Sequence, residues 1–136
     1  AVSALRDTEH VAAMHDGNAI TGWGDYPQKP DGWVLADIGE PQSVGGVTNA
    51  IGDYLLDFPR RLAIETSLDG TSWESAFEGP TFAQTFLGFV RAPRNAELIF
   101  SFSPRVARYV RLRQLESFSS MWRISELKIH GPASSR

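Results

Sequence analysis

The feature that most constrains the fold of this chain is the alternating stretch from Arg61 to Trp73, RLAIETSLDGTSW. Positions 62, 64, 66 and 68 carry Leu, Ile, Thr and Leu, and this period of two places one row of side chains on each face of a β-strand. The pair Asp69-Gly70 follows, and such a pair supplies the positive φ angles that a tight reversal between paired strands needs. The stretch therefore predicts the central hairpin of an antiparallel sheet, with Trp73 in the returning strand.

Other short stretches predict further strands, over residues 33–38, 43–51, 96–102, 106–115 and 127–129. Glycine and proline turns separate them, and residues 5–14 have weak helical spacing that predicts a short helix. Residues 79–94 are expected to form a long connection, which could contain an edge strand. Several short strands with almost no helix predict an all-β sandwich.

Composition limits the number of domains and the kinds of partner. The chain has 136 residues, of which 42% are apolar, so we expect one domain over residues 1–136, with residues 132–136 as a tail. We expect this domain to be excised from a larger protein and to be monomeric in isolation.

Cysteine is absent, which excludes disulfides and thiol chemistry. A formal charge of −3 argues against a nucleic-acid partner, which usually requires a basic face. The local cluster of Arg105, Arg108, Arg111 and Arg113 is expected to pair with carboxylates.

Four segments, in this order, resemble the discoidin superfamily, which includes the coagulation factor 5/8 C-type domains and the family 32 carbohydrate-binding modules. They are DGNAITGW at 16–23, WVLADIGEP at 33–41, IETSLDGTSW at 64–73 and ARYVRL…WRISELKIHG at 107–131. The resemblance implies an eight-stranded antiparallel jelly-roll β-sandwich, of the galactose-binding-domain-like type, whose loops at one end bind ligands. The coagulation branch has paired terminal cysteines. Their absence here favours the bacterial carbohydrate-binding branch and an extracytoplasmic location.

The first segment and the last strand together suggest a metal site. The candidate side chains all offer hard oxygens, and they are Asp16, Asn18, Thr21 and Glu126. Two carboxylates brought together repel, and a bound Ca²⁺ would remove that penalty. In relatives with this spacing these side chains bind Ca²⁺ or Na⁺, and the resemblance adds the backbone carbonyls of Ala13 and Ser125. The ion would be structural and away from the ligand. The alternative is an Asx-turn in which Asp16 caps backbone N–H groups while Glu126 pairs with an arginine.

A sugar site needs an aromatic face for the apolar side of a pyranose and planar polar groups for its hydroxyls. Related modules supply these groups from two loops, which correspond here to residues 52–60 and 116–122. The candidates are Asp53, Tyr54, Asp57 and Arg60 from the first loop, Phe118 and Trp122 from the second, and Tyr26 from an early irregular loop. Trp122 could instead pack in the core, where Trp23, Trp33 and Trp73 are expected. The Arg-then-Asn pair and the His of many galactose binders are not visible, which argues against galactose itself.

The resemblance implies a noncatalytic carbohydrate-binding module that targets an appended glycan-active enzyme to a glycan. The alternative is an adhesion module that binds a membrane or a protein, with the apolar residues of the 54–58 loop entering a bilayer interface. Asp53 and Asp57 lie beside these apolar residues, so few of the basic side chains that binding to an anionic membrane requires surround them. Catalysis is not expected, because the three histidines form no HExxH motif and no G-x-S-x-G is present.

Overall fold

The alternating stretch forms a strand from residue 61 to residue 67, and this strand lies within an antiparallel β-structure. We describe residues 1–132 of a computed structural model; the part of the predicted tail at 133–136 lies outside the described residues. The strands are β1 (Val2–Ala4), β2 (Trp23–Asp25), β3 (Trp33–Gly52), β4 (Arg61–Ser67), β5 (Glu74–Pro80), β6 (Ala96–Gln114), β7 (Trp122–Ile124) and β8 (Glu126–His130). The helices are α1 (Phe82–Arg91) and two 3₁₀ segments, η1 (Thr8–His15) and η2 (Leu55–Asp57).

The predicted central hairpin is present, but its turn is wider than the sequence suggests. Strands β4 and β5 pair in antiparallel fashion, and the last pair before the turn joins Thr66 to Glu74. The Asp69 carboxylate accepts the backbone N–H groups of residues 71 and 72, both at 2.9 Å, and Gly70 adopts a φ of 80°. The side chain of Asp69 thus closes a longer turn, which leaves Trp73 half-buried within it and not in the returning strand.

Two long strands replace four predicted short ones. The stretches predicted at 33–38 and 43–51 are parts of β3, and those at 96–102 and 106–115 are parts of β6. The β3–β6 register shifts between Asp37 and Gln42, where the sequence Gly39-Glu40-Pro41 was expected to end a strand. The chain passes this point as an irregularity in the ladder, so the strand bends and does not stop.

The long strands build both layers of the sandwich. Along one edge, β3 pairs first with β1 and then with β8, and along its other edge it pairs with β6 throughout. Strand β6 also pairs with β4, which carries β5 at its outer side. Strands β2 and β7 form a separate two-stranded sheet. A single apolar cluster joins buried side chains of both parts of β3 and β6 to those of β2 and β7. The predicted all-β antiparallel jelly-roll class is therefore confirmed.

The prediction of a long connection at 79–94 that could contain an edge strand is wrong, because this stretch contains the helix α1. Phenylalanines at positions 82, 86 and 89 have helical spacing, which was the available signal. The helix turns Gly88 toward β6, where a Cβ atom would lie 2.5 Å from the carbonyl oxygen of Glu97. A glycine at this position thus permits the close approach of the helix to the strand. Among the described residues, no helix combines the length and the apolar character needed to cross a membrane.

Candidate functional site

Gln28 is a buried polar side chain that joins the three loops predicted to form the ligand end. Its amide nitrogen donates to the backbone carbonyls of Phe58 (2.8 Å) and Met121 (3.1 Å). Its amide oxygen accepts the backbone N–H of Arg60 (3.0 Å) and the side-chain amide of Gln114 (2.8 Å). The early loop, the 53–60 loop and the 116–121 loop are thus fixed to one another. Sequence reasoning missed both glutamines, since their isolated polar positions carry no periodic or motif signal.

Arg60 lies between two aromatic rings and links its own loop to the 116–121 loop. Its guanidinium carbon is 3.7 Å from the ring centroid of Phe58 and 4.1 Å from that of Phe118. The same group donates to the carbonyls of Phe58 (2.9 Å) and Leu56 (3.1 Å) and to the Ser120 hydroxyl (3.1 Å). Burial lowers the pKa of Arg60, although an arginine stays protonated in any case. With three of its five N–H groups engaged, Arg60 positions Phe118 more than it offers free donors.

Tyr26 and Phe118 line a cleft at this end of the sandwich. The cleft has a volume of about 580 Å³, and Lys29, Ser117 and Ser119 also line it. Tyr26 is 67% exposed and Phe118 is 44% exposed, so both rings are accessible to a ligand. An isolated bridge between Gln28 and Phe118 holds the two walls together. The cleft therefore combines two aromatic walls, an ammonium group and two hydroxyls, which are groups suited to a sugar.

The remaining candidates of the 53–60 loop lie outside this cleft. Tyr54 stacks with Arg123, whose guanidinium carbon is 4.0 Å from the ring centroid. Asp57 is partly buried, and burial raises the pKa of its carboxyl group while the charges of Arg123 and Arg60 oppose the shift. Asp53 is exposed. The structure thus brings Tyr26, Arg60 and Phe118 together and places Tyr54 and Asp53 elsewhere on the rim.

Trp122 is a core residue, which corrects its assignment as a sugar-binding candidate. Its side chain is fully buried, and its indole N–H donates to the Asn49 side-chain oxygen at 2.9 Å. Its ring meets that of Trp23 edge to face, with centroids 5.1 Å apart. The β2–β7 pairing carries both tryptophans into the core, so no face of Trp122 is left for a ligand. Of the other tryptophans expected in the core, Trp23 is buried and Trp33 is only half-buried.

The side chains of Asp16, Thr21 and Glu126 lie together at the end of η1, whereas the Asn18 side-chain oxygen accepts the Ile20 N–H at 3.0 Å. The Gly17 N–H donates to a Glu126 carboxylate oxygen at 2.7 Å, which joins the N-terminal loop to β8. The Asn18 N–H donates to Asp16 at 2.9 Å, and the Thr21 hydroxyl donates to the other Asp16 oxygen at 2.5 Å. These bonds, first that from Thr21 and then that from Asn18, lower the pKa of Asp16. The loop is therefore an Asx-turn, as the alternative predicted, but Glu126 contacts the loop and, within residues 1–132, forms no ion pair with an arginine.

The chemistry of this donor set fits Ca²⁺. Two carboxylates, an amide oxygen and a hydroxyl are hard oxygen ligands of the kind that calcium prefers. The neighbouring Ser125 is buried, and its hydroxyl has no hydrogen-bond partner among the described residues. The contributions of the Ala13 and Ser125 carbonyls stay predictions. Among residues 1–132 no group of three or more His, Cys, Asp or Glu side chains is placed to hold a metal, and this loop offers two carboxylates.

The arginine cluster pairs with carboxylates. The ion pairs join Arg105 to Glu74 (3.4 Å), Arg108 to Asp37 (2.9 Å), and both Arg111 (3.0 Å) and Arg113 (3.2 Å) to Glu65. The pairs of Arg108, Arg111 and Arg113 connect β6 to its neighbours β3 and β4, as expected for the face of an antiparallel sheet, and the Arg105–Glu74 pair joins β6 to β5. The prediction that these arginines pair with carboxylates is therefore confirmed.

Comparisons with known proteins agree with this architecture. The sequence profile of the F5/8 type C domain matches residues 1–127. A comparison with curated proteins finds no match. Among solved structures, the family 32 carbohydrate-binding module of AlyQ in complex with 4,5-unsaturated mannuronic acid is 22% identical. That alignment covers 96% of this chain and 93% of the other, with a TM-score of 0.72.

Two further structures have the same fold. A pectin-binding carbohydrate-binding module is 23% identical, with 98% of this chain and 91% of that one covered and a TM-score of 0.70. A family 32 module from Clostridium perfringens, in complex with GalNAc-β-1,3-galactose, is 16% identical, with coverages of 95% and 93% and a TM-score of 0.68. At these identities the likeness shows the fold alone.

Proposed function

Because the chain belongs to the F5/8 type C domain family, we propose that it is a noncatalytic carbohydrate-binding module with its ligand site in the Tyr26–Phe118 cleft. The resemblance read from the four sequence segments is thereby confirmed at the level of the family. The observation that carries the proposal is the pair of exposed aromatic walls fixed to one buried glutamine. Such preorganisation lowers the entropic cost of holding a small polar ligand.

The cleft favours an acidic sugar. Lys29 is the one charged side chain that lines the cleft among the described residues, and an ammonium group attracts a carboxylate. The similar module of AlyQ holds an unsaturated mannuronic acid, which is consistent with this choice of ligand class. Uronic-acid oligosaccharides are therefore the first ligands to test.

Titration calorimetry with oligomannuronate, a pectic oligosaccharide and a neutral galactoside tests the site. Phe118→Ala should weaken binding at least about tenfold, because a stacked aromatic ring supplies much of the apolar contact in such a site. Tyr54→Ala is the matched control, since the exposed fraction of Tyr54 (43%) is nearly that of Phe118 (44%), yet Tyr54 lies outside the cleft. Lys29→Gln should weaken binding of the acidic sugars and leave that of the neutral one unchanged.

Two results would contradict the proposal. Folded protein that binds none of a broad glycan panel would argue against the module as a whole. Wild-type affinity in Phe118→Ala, together with loss in Tyr54→Ala, would move the site to the Tyr54–Arg123 stack.

We also propose a structural Ca²⁺ held by Asp16, Asn18, Thr21 and Glu126, with the carbonyls of Ala13 and Ser125. The ion would neutralise the two carboxylates that the fold brings together and would tie the N-terminal loop to β8. It would act on stability, because the candidate sugar cleft is formed by other loops.

The wider setting is proposed from family resemblance alone. The module would be monomeric in isolation and would belong to a larger bacterial, extracytoplasmic protein. There it would target a glycan-active enzyme to its substrate, since tethering raises the effective concentration of a weak binder.

A further inference from the structure

The turn between β4 and β5 forms one wall of a second cleft, and strand β6 contributes the other wall. The cleft has a volume of about 410 Å³. Among the side chains that line it are those of Leu68, Asp69, Trp73, Glu74, Arg105 and Val106. We call it the turn cleft.

The turn cleft lies at the opposite end of the sandwich from the Tyr26–Phe118 cleft. Strand β4 begins at the ligand end, where the Arg61 N–H donates to the Gln114 side chain at 3.3 Å. It ends at Ser67, where the turn starts. The strand has seven residues, so six steps of about 3.3 Å place its two ends about 20 Å apart. A small ligand in one cleft therefore leaves the other cleft free.

The turn that forms the cleft is held by its own hydrogen bonds. The Asp69 carboxylate accepts the Ser67 hydroxyl at 3.1 Å, in addition to the backbone N–H groups of Thr71 and Ser72. The Ser67 hydroxyl accepts the Gly70 N–H at 2.8 Å. The bonds from Ser72 and then from Thr71 lower the pKa of Asp69, so its carboxylate stays ionised. A ligand therefore meets a wall that is already ordered, which lowers the entropic cost of binding.

The cleft combines apolar and polar groups in a way that suits a saccharide. Trp73 is half-buried, while Leu68 is 58% exposed and Val106 is 59% exposed, so apolar surface is open to a ligand. Arg105 and Glu74 form an ion pair at 3.4 Å and supply N–H donors and carboxylate acceptors to the same space. A sugar ring places its C–H groups on apolar surface and its hydroxyls on planar polar groups.

The charges around Trp73 favour a neutral ligand. The Arg111 guanidinium carbon lies 4.0 Å from the centroid of the Trp73 ring, so this indole already has a cation partner. Arg105 is a second cation, and a basic side chain or an amino sugar would be repelled by both. Asp69 and Glu74 would repel a carboxylate or a sulfate group. A neutral saccharide avoids both penalties.

We propose that the turn cleft is a second binding site of this module and takes a neutral saccharide, whereas the Tyr26–Phe118 cleft takes an acidic one. One module would then contact two glycans of different charge at once. Its avidity for a mixed polysaccharide surface would exceed the affinity of either site. This site goes beyond the proposed function and does not depend on it, because the two clefts share no lining side chain.

Nuclear magnetic resonance titrations of the 136-residue chain test the site. The probes are neutral oligosaccharides of xylan, cellulose and galactan, with oligomannuronate as the acidic comparison, and Phe118→Ala is used beside the wild type to weaken the other cleft. The indole N–H signal of Trp73, identified by its loss in Trp73→Phe, should shift with at least one neutral oligosaccharide. No shift with any of them, or an equal or larger shift with oligomannuronate, would overturn the proposal.

Two matched valines locate the contact. Val106 and Val90 are both 59% exposed, but Val106 lines the turn cleft and Val90 lies on α1. Val106→Arg should weaken binding of the neutral saccharide at least about tenfold, because a long charged side chain occupies the space of the ligand. Val90→Arg should leave binding unchanged. Leu68→Arg, which alters the turn and neither strand, should act like Val106→Arg, and thermal melts check that each variant is folded.

The two sites fail in different ways. Loss of neutral binding in Val106→Arg, with unchanged binding of oligomannuronate, would support two separate sites. Neutral binding that survives in folded Val106→Arg and Leu68→Arg but is lost in Phe118→Ala would place the neutral sugar in the Tyr26–Phe118 cleft. That result would overturn the second site and leave the proposed function intact.

Discussion

At the scale of single residues, the aromatic side chains of the ligand end divide into buried and exposed ones that the sequence could not separate. Trp122 and Phe118 both follow β6 and both resemble ligand-facing aromatics in type and position. The fold buries Trp122 against Trp23 and leaves Phe118 on the rim beside Arg60. The difference comes from the β2–β7 pairing, which joins residues about a hundred positions apart and leaves no local pattern. Trp122 is therefore a structural residue, and Phe118 is left accessible for the ligand contact that we propose.

Stability measurements should separate these two roles. Trp122→Ala should lower the free energy of unfolding by about 4 kcal/mol, because it leaves a large cavity and an unpaired Asn49 side chain in the core. Phe118→Ala should cost less than about 1 kcal/mol, since its ring is partly exposed. Urea denaturation of both variants gives the comparison. Equal losses would contradict the assignment of Phe118 to the ligand site.

At the scale of secondary-structure elements, sequence periodicity located most strands but not their continuity. Gly39 and Pro41 are residues that usually end a strand, yet β3 continues past them because the partner β6 runs alongside. The helix α1 was missed although its phenylalanines have helical spacing, and its orientation was not predictable, because the face that it buries consists of Thr and Gly. Family resemblance predicted the β-sandwich. The continuity of β3 and the placement of α1 depend on contacts between distant segments, which the sequence does not reveal.

The bend of β3 contains an ion pair that should make stability sensitive to acid. The Arg108 guanidinium donates to both Asp37 oxygens (2.9 and 3.1 Å), and with the Gly39 N–H it lowers the pKa of Asp37 to about 2 from 3.8. A lowered pKa in the folded state gives a contribution that is present above pH 3.8 and is lost as the pH falls toward about 2. Asp37→Asn should flatten the decline in melting temperature over that range. Thermal melts at several pH values measure it. The exposed Asp53→Asn variant is the control, and an unchanged slope in Asp37→Asn would refute this origin.

At the scale of the whole molecule, the contact between the N-terminal loop and β8 closes the fold. The bond from Gly17 to Glu126 joins residues 109 positions apart, and the candidate calcium ligands come from both sides of it. The sequence placed the four side chains together only through family resemblance, since nothing local relates position 16 to position 126. The contact is a feature of the fold, and the binding of an ion by the side chains around it is our proposal.

Calcium addition should therefore stabilise the entire domain and not one loop. A free Ca²⁺ concentration about 100 times the dissociation constant should raise the free energy of unfolding by about 2.7 kcal/mol, and a chelator should reverse the gain. Asp16→Asn and Glu126→Gln should abolish the response. Glu97→Gln, which removes the partner of Lys128 on β8, should retain it. A melting temperature that is insensitive to Ca²⁺ would exclude the structural ion.

The pairing of β3 with both terminal strands also has a consequence for biosynthesis. Residues 46–50 of β3 leave the ribosome about eighty residues before the strand that covers their edge, residues 126–130. At ordinary rates of translation this edge stays bare for on the order of ten seconds. During that interval the nascent chain presents an open backbone edge that can pair with another strand, until β8 arrives.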